Sequence, residues 1–322
     1  MSTPLTHTLD SYTIPEMVAD FDEFNATFGV LPEPFTAVFA SALEDLASAA
    51  SARGVRDVAA LLSAHQALLR HLSGTPNLTA RHSLATRDRI HLLRNVLLTA
   101  VLGAGHVARV STDGVSEAVI TLTRRTQQTD RPLEHDEIAL LRTHAAIAMQ
   151  TPRTSQAAAV YALCDAGAEL REVSAVMAHD LDDVTAPTLV HAAGYGRRVE
   201  SRVLPLETFH MVVVGARATE RAQAGQAGPI AYNARSNEAC SVAALSSAHG
   251  VIDRQLEVLG LRHADVTASS VRRWRIAYTV DTAGVEVAAE IAGLPERYVP
   301  RLANRVVRAD ETEVRTAEDD DF

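Results

Sequence analysis

The chain has 322 residues, 47% of them apolar, a formal net charge of -10, and neither a Cys-rich framework nor a basic start followed by an apolar run. This excludes a disulfide scaffold, a disordered polyelectrolyte and a secreted precursor, and no window approaches the ~18 uninterrupted apolar residues of a membrane span. The expectation is a globular, cytoplasmic protein of two domains. Its cysteines, Cys164 and Cys240, sit in apolar surroundings as free thiols.

The charge is unevenly spread. Residues 1–45 carry eight acids and no base, and residues 309–322 carry seven acids and Arg315; taking those -8 and -6 from -10 leaves +4 for residues 46–308. All thirty cations are Arg, so no Lys is present to serve as an acid. A mildly basic body between acidic ends leaves room for a basic face.

In chain order, residues 1–31 form an acidic segment whose aromatics, Tyr12, Phe21, Phe24 and Phe28, show no clear helical period. It is read as an N-terminal arm, either loosely ordered or strapped onto a neighbour. From Pro34, the apolar positions Phe35, Val38, Phe39, Ala42, Leu43 and Leu46 recur with helical spacing towards Gly54. A second helix buries Val58, Leu61, Leu62, His65, Leu68, Leu69 and Leu72 and stops at Gly74. A third, capped by Thr86, runs through Ile90, Leu93, Val96, Leu97 and Val101 to Gly103. Residues 32–123 are thus read as a helical bundle. His65, His71 and His91 fit core or surface histidines better than ligands.

The polar stretch Thr121–Arg131 reads as the domain boundary. After it come Pro132-Leu-Glu-His-Asp-Glu-Ile-Ala-Leu-Leu141; Gly167-Ala-Glu169-Leu-Arg-Glu172-Val173; predicted strands at Asp180–Asp182 and Thr188–Val190; Gly194-Tyr195-Gly196-Arg197-Arg198; and Arg202-Val-Leu-Pro-Leu206. A helix around Phe209–Ala218, a strand at Ile230–Tyr232 and a helix at Val242–Leu259 lead to Ser270-Val-Arg-Arg273-Trp274, then Ala283-Gly284 and Gly293-Leu294. The cluster His179, Asp180, Asp182 and Asp183 has the composition of a metal site but fits a solvated turn better. Gly194-x-Gly196 is followed by no helix start and so is no phosphate loop. No metal and no cofactor is expected.

These segments, in this order, resemble the tyrosine recombinases, the phage-integrase family, over about residues 130–295. The resemblance implies a mainly α fold with a small β-sheet (α+β): an N-terminal core-binding-like bundle (32–123), a recombinase-like catalytic-type domain (130–308) and an acidic tail (309–322). It also implies a depleted active site. Of the family's catalytic positions only Arg273 is kept. Glu169 stands at a phosphate-binding Arg, Tyr195 at the Lys, Ser270 at the first His, Leu294 at the His or Trp, and Ala303 at the nucleophilic Tyr, with Tyr298 about five residues early. Without the phenol no covalent bond to a DNA phosphate can form.

Three functions follow. One is a catalytically inactive DNA-binding or recombination-accessory protein, with Arg197, Arg198, Arg202, Arg272, Arg273 and Arg275 on phosphates. Another is a protein-interaction module, partner of an active recombinase, that no longer binds DNA; its C-terminal segment could mediate that contact or a homo-oligomer. The third is an active recombinase using Tyr298. The alignment further predicts that Glu169 and Arg273 meet as an ion pair across the old phosphate pocket.

Overall fold

A computed structural model describes residues 8–73, 86–119, 130–151, 154–194, 199–232 and 242–303. The architecture is mainly α with one two-stranded antiparallel sheet. The domain boundary at Thr121–Arg131, the tail 309–322, Cys240, and Tyr195, Arg197 and Arg198 fall wholly or almost wholly outside the described residues; only Asp130 and Arg131 of that boundary are described.

The first finding corrects the reading of residues 1–31 as an arm. Ile14–Phe28 is a helix, α1, opened by a capping box in which the Glu16 carboxylate accepts from the Thr13 N–H at 2.9 Å. Phe21, Phe24 and Phe28 lie on one face and are buried. Acids between the rings disguise a spacing of three and four residues, which is one helix face. Phe21 stacks on Phe39 of α2 (Glu33–Ser51) at 4.7 Å between centroids. Each such ring contributes ~1.5–3 kcal/mol on burial.

Helix α3 (Val58–Ser73) and α4 (Thr86–Ala108) complete the bundle. Helix α4 does not end at Gly103 as expected. A Cβ there would lie 2.8 Å from Phe24 Cδ1, so this glycine lets α1 approach closely and the helix continues through it. Asp88–Ala108 is long and apolar enough to cross a membrane, yet 83% of its apolar window is buried inside the fold. The short α5 (Val115–Ala118) follows.

The second half begins with α6 (His135–Ala148), whose Glu137 carboxylate reaches back to accept from the Glu134 N–H at 2.8 Å. Then come α7 (Ser155–Asp165), the four-residue α8 (Leu170–Val173), strands β1 (Leu189–Ala192) and β2 (Arg202–Pro205), α9 (Thr208–Gln223) and α10 (Val242–Val258). Helices α11 (Ser269–Ala283), α12 (Val285–Ala292) and α13 (Val299–Leu302) close the described chain. In the sheet Leu189 pairs with Pro205 and Ala192 with Arg202. Residues 230–232 are a turn, not the expected strand; the Ile230 N–H is taken by Val176 O and its carbonyl by Arg217 Nε. At the acidic cluster, the Asp182 carboxylate accepts from the backbone N–H groups of Thr188 and Leu189, which is turn chemistry.

Both halves contribute to one continuous core. Across their junction Asn95 donates to Asp136 at 2.7 Å, the Arg94 guanidinium donates to Leu259 O at 2.9 Å, and Phe35 meets His135 edge to face.

Candidate functional site

The chain leaves α7 through Gly167, whose φ of +113° is open to glycine and which passes so near α12 that a Cβ would sit 2.6 Å from Ile291 Cγ2. This turn places Glu169 at the N-terminus of α8, where its N–H donates to Glu172 Oε2 at 2.7 Å. The Glu172 carboxylate is buried and forked by Arg202 of β2, with Nη1–Oε1 at 2.5 Å and Nη2–Oε2 at 2.9 Å. Arg202 also donates from Nε to Ile291 O at 2.6 Å and from Nη2 to Gly167 O at 3.2 Å. One guanidinium thereby ties α8, β2, α12 and the Gly167 turn together.

Arg202, a candidate phosphate contact, has its donors taken up inside the chain. The same holds for two neighbours. Arg272 donates from Nε to Gly167 O at 2.9 Å and from Nη2 to Ala292 O at 2.5 Å, and burial lowers its pKa. Arg275 is buried, bonded to Glu207, and lies 5.7 Å from the Tyr278 ring centroid. Nothing in the sequence marks the acceptors for Arg202 and Arg272 beyond Glu172, because they are backbone carbonyls brought near only by the fold.

Glu169 and Arg273, 104 positions apart in sequence, line one cavity of about 180 Å3. Its other walls include Cys164, Leu170, His249, Ser269, Arg272, Ile276 and Leu302. The expected ion pair is not made. Neither side chain has a hydrogen bond or ion pair among the described residues, and Glu169 Oε2 and Arg273 Nε are shielded without partners. Burial pushes the Cys164 thiol well above its ordinary range, so it is no nucleophile at neutral pH.

The other described positions of the expected site lie in or beside α11, α12 and α13. Ser270 is fully buried, and its Oγ accepts from the Thr267 N–H at 3.1 Å just ahead of α11. Leu294 packs against the small cluster of Ile276, Ala288, Ala292 and Val299, and Ala303 is buried at the end of α13, next to Leu302 on the cavity. Tyr298 is 46% exposed, with the Arg297 guanidinium 5.1 Å from its ring centroid. Trp274 is buried, stacked on Tyr278, and donates its indole N–H to His135 Nδ1 at 3.1 Å.

Beside the cavity lies a charge network that sequence reasoning missed. Arg142 is buried between the Phe209 and Trp274 rings, donates from Nε to Asp165 Oδ2 at 2.7 Å and pairs through Nη2 with Glu207 Oε2 at 3.0 Å. His210 accepts the Glu207 N–H on Nδ1 at 3.0 Å, so Nε2 holds the proton and donates to Asp165 at 3.2 Å. Burial keeps this imidazole neutral by lowering its pKa. Burial is the largest influence on both carboxylates and would raise them, but Arg142 and His210 together outweigh it at Asp165, holding it below the usual carboxylate range, and Arg142, His210 and Arg275 together do so at Glu207, holding it at about 2. Two guanidinium groups, two carboxylates and a neutral imidazole leave no net charge. The isolated letters Arg142, Asp165, His210 and Glu207 form no local motif.

No family model and no curated protein matches the chain. Its structural neighbours are tyrosine recombinases. They include a lambda integrase (residues 75–356) dimer bound to a COC' core site, with 15% identity over 95% of this chain and 99% of that one and a TM-score of 0.41. XerA recombinase gives 10% identity over 94% and 99% at 0.41, and the Tn1549 transposon integrase with circular intermediate DNA 11% over 91% and 95% at 0.37.

Proposed function

We propose that this chain is a tyrosine-recombinase-like protein that does not cut DNA and acts as an accessory to recombination through protein contact. The observation that carries the reading is the fate of the arginines: Arg202, Arg272 and Arg275 are bonded to Glu172, Glu207 and backbone carbonyls. A guanidinium whose donors are filled internally neutralises few phosphates, and a carboxylate at Glu169 repels them. Buried contacts join the two halves that would embrace a duplex in the family, and a net charge of -10 opposes association with a polyanion. Ala303 at the nucleophile position supplies no attacking oxygen.

A non-cleaving DNA-binding protein is the second reading, favoured by Arg273, whose guanidinium makes no bond to a described residue and lines the cavity. Titration with duplex DNA at two salt concentrations separates the two. Phosphate contact gives a log-log slope of about -0.9 per neutralised phosphate, whereas the accessory reading expects weak binding at both. Nicked or phosphorothiolate-trapped DNA is expected to give no covalent adduct; an adduct that disappears in Tyr298→Phe would overturn both readings in favour of a displaced nucleophile.

A further inference from the structure

The cavity at Glu169 and Arg273 presents a combination that proteins rarely leave open: one carboxylate and one guanidinium on the same small space, not bonded to each other or to any other described residue through their side chains. Both residues are half-buried, and Glu169 Oε2 and Arg273 Nε are shielded from water with no hydrogen-bond partner among the described residues, although Arg272 lies within electrostatic reach of Glu169. Arg272 adds a second positive charge from the wall, but its Nε and Nη2 donate to carbonyls, so Arg273 is the cation with bonding capacity to spare. The complement of such a pair is a molecule that carries an ammonium and a carboxylate a few bonds apart.

Size narrows the class. About 180 Å3 lies below the ~300–1,000 Å3 of sites for drug-sized ligands and equals the liquid share of about six waters, at ~30 Å3 each. Leu170, Ile276 and Leu302 offer an apolar wall to a short aliphatic group. We infer that this cavity binds a free α-amino acid with a small aliphatic side chain, its ammonium on Glu169 and its carboxylate on Arg273. The inference rests on the two charges and the cavity, independently of any reading about DNA.

Calorimetric titration of the full chain with L-valine, acetyl-L-valine, L-valine amide and inorganic phosphate tests it. L-valine is expected to bind, and each blocked form to bind at least tenfold more weakly, since each lacks one of the two charges. Glu169→Gln should bind L-valine no better than acetyl-L-valine, and Arg273→Gln no better than the amide. Circular dichroism of both variants should match the parent chain. Absence of saturable heat with L-valine, undiminished binding in both variants, or phosphate binding more tightly than L-valine would each overturn the assignment.

Discussion

Asp165 and Glu169 are one helical turn apart in sequence, at the end of α7 and the start of α8, yet their surroundings are opposite. Asp165 is wholly buried and held through Oδ2 by Arg142 and His210; Glu169 borders a cavity, and its carboxylate has no hydrogen bond or ion pair among the described residues. Where every charge is matched, the polar cluster fixes how α6, α7, α9 and α11 pack; where charges face a cavity unmatched, bonding capacity is left for something else. A carboxylate is structural or available according to whether the fold delivers its partner.

Breaking the matched side should have the largest effect. Arg142→Met leaves Asp165 buried beside a neutral imidazole and removes one of the two arginines on Glu207. Loss of one partner from a buried pair costs about 3–5 kcal/mol, so urea unfolding should show a large drop in midpoint or no folded protein. A drop below ~1 kcal/mol would mean that the network is not what holds these helices.

Acid should weaken the same cluster in two stages. His210 has a depressed pKa when folded, so the unfolded chain takes up its proton first and stability falls as pH drops through the ordinary value of 6.5. His135 and His144, also depressed by burial, add to this stage. Glu207 contributes stability that is complete above its unfolded value of 4.5 and is lost as pH falls from there towards about 2. Urea midpoints between pH 8 and pH 3 should trace both stages, and Glu207→Gln should flatten the lower one.

On the unmatched side the effects should be smaller. Glu169→Arg brings a third guanidinium to a cavity already walled by Arg272 and Arg273, so stability should fall by about 0.5–3 kcal/mol while affinity for duplex DNA rises. Unchanged DNA affinity would show that the cavity no longer faces a duplex. Least of all is expected from Tyr298→Phe, an exposed ring whose hydroxyl donates to no described residue; its thermal midpoint should correspond to a change within ~0.5 kcal/mol.

The spacing of Phe35, Phe39, Leu43 and Leu46, and of Val58, Leu61, Leu68 and Leu72, made α2 and α3 legible because their outer faces are polar. Helix α1 is masked in the sequence because Asp20, Asp22 and Glu23 stand among its buried rings and give the segment an arm's composition, although Thr13 and Glu16 spell a capping box. Gly103 was mistaken for a stop because a glycine that ends a helix and one that admits a ring look alike in one dimension. At the site, alignment was enough to place Glu169 and Arg273 on one cavity but not to decide whether they pair, which depends on ångström-scale offsets between α8 and α11. The internal duties of Arg202 and Arg272 were illegible for another reason: a carbonyl acceptor belongs to every residue, so the sequence does not mark which ones the fold will present.

Arg94, buried in α4, donates to a carbonyl at Leu259, 165 residues later. On a ribosome adding about 5–20 residues per second, that acceptor emerges some 8–30 s after the arginine. For that interval the Arg94 guanidinium, though bonded to Asn95 within the bundle, lacks its Leu259 acceptor on the face meant for the second half, so a nascent chain halted before α10 should stay bound to chaperones longer than one released after it. Arg94 thus makes the order of synthesis matter to how this protein reaches its fold.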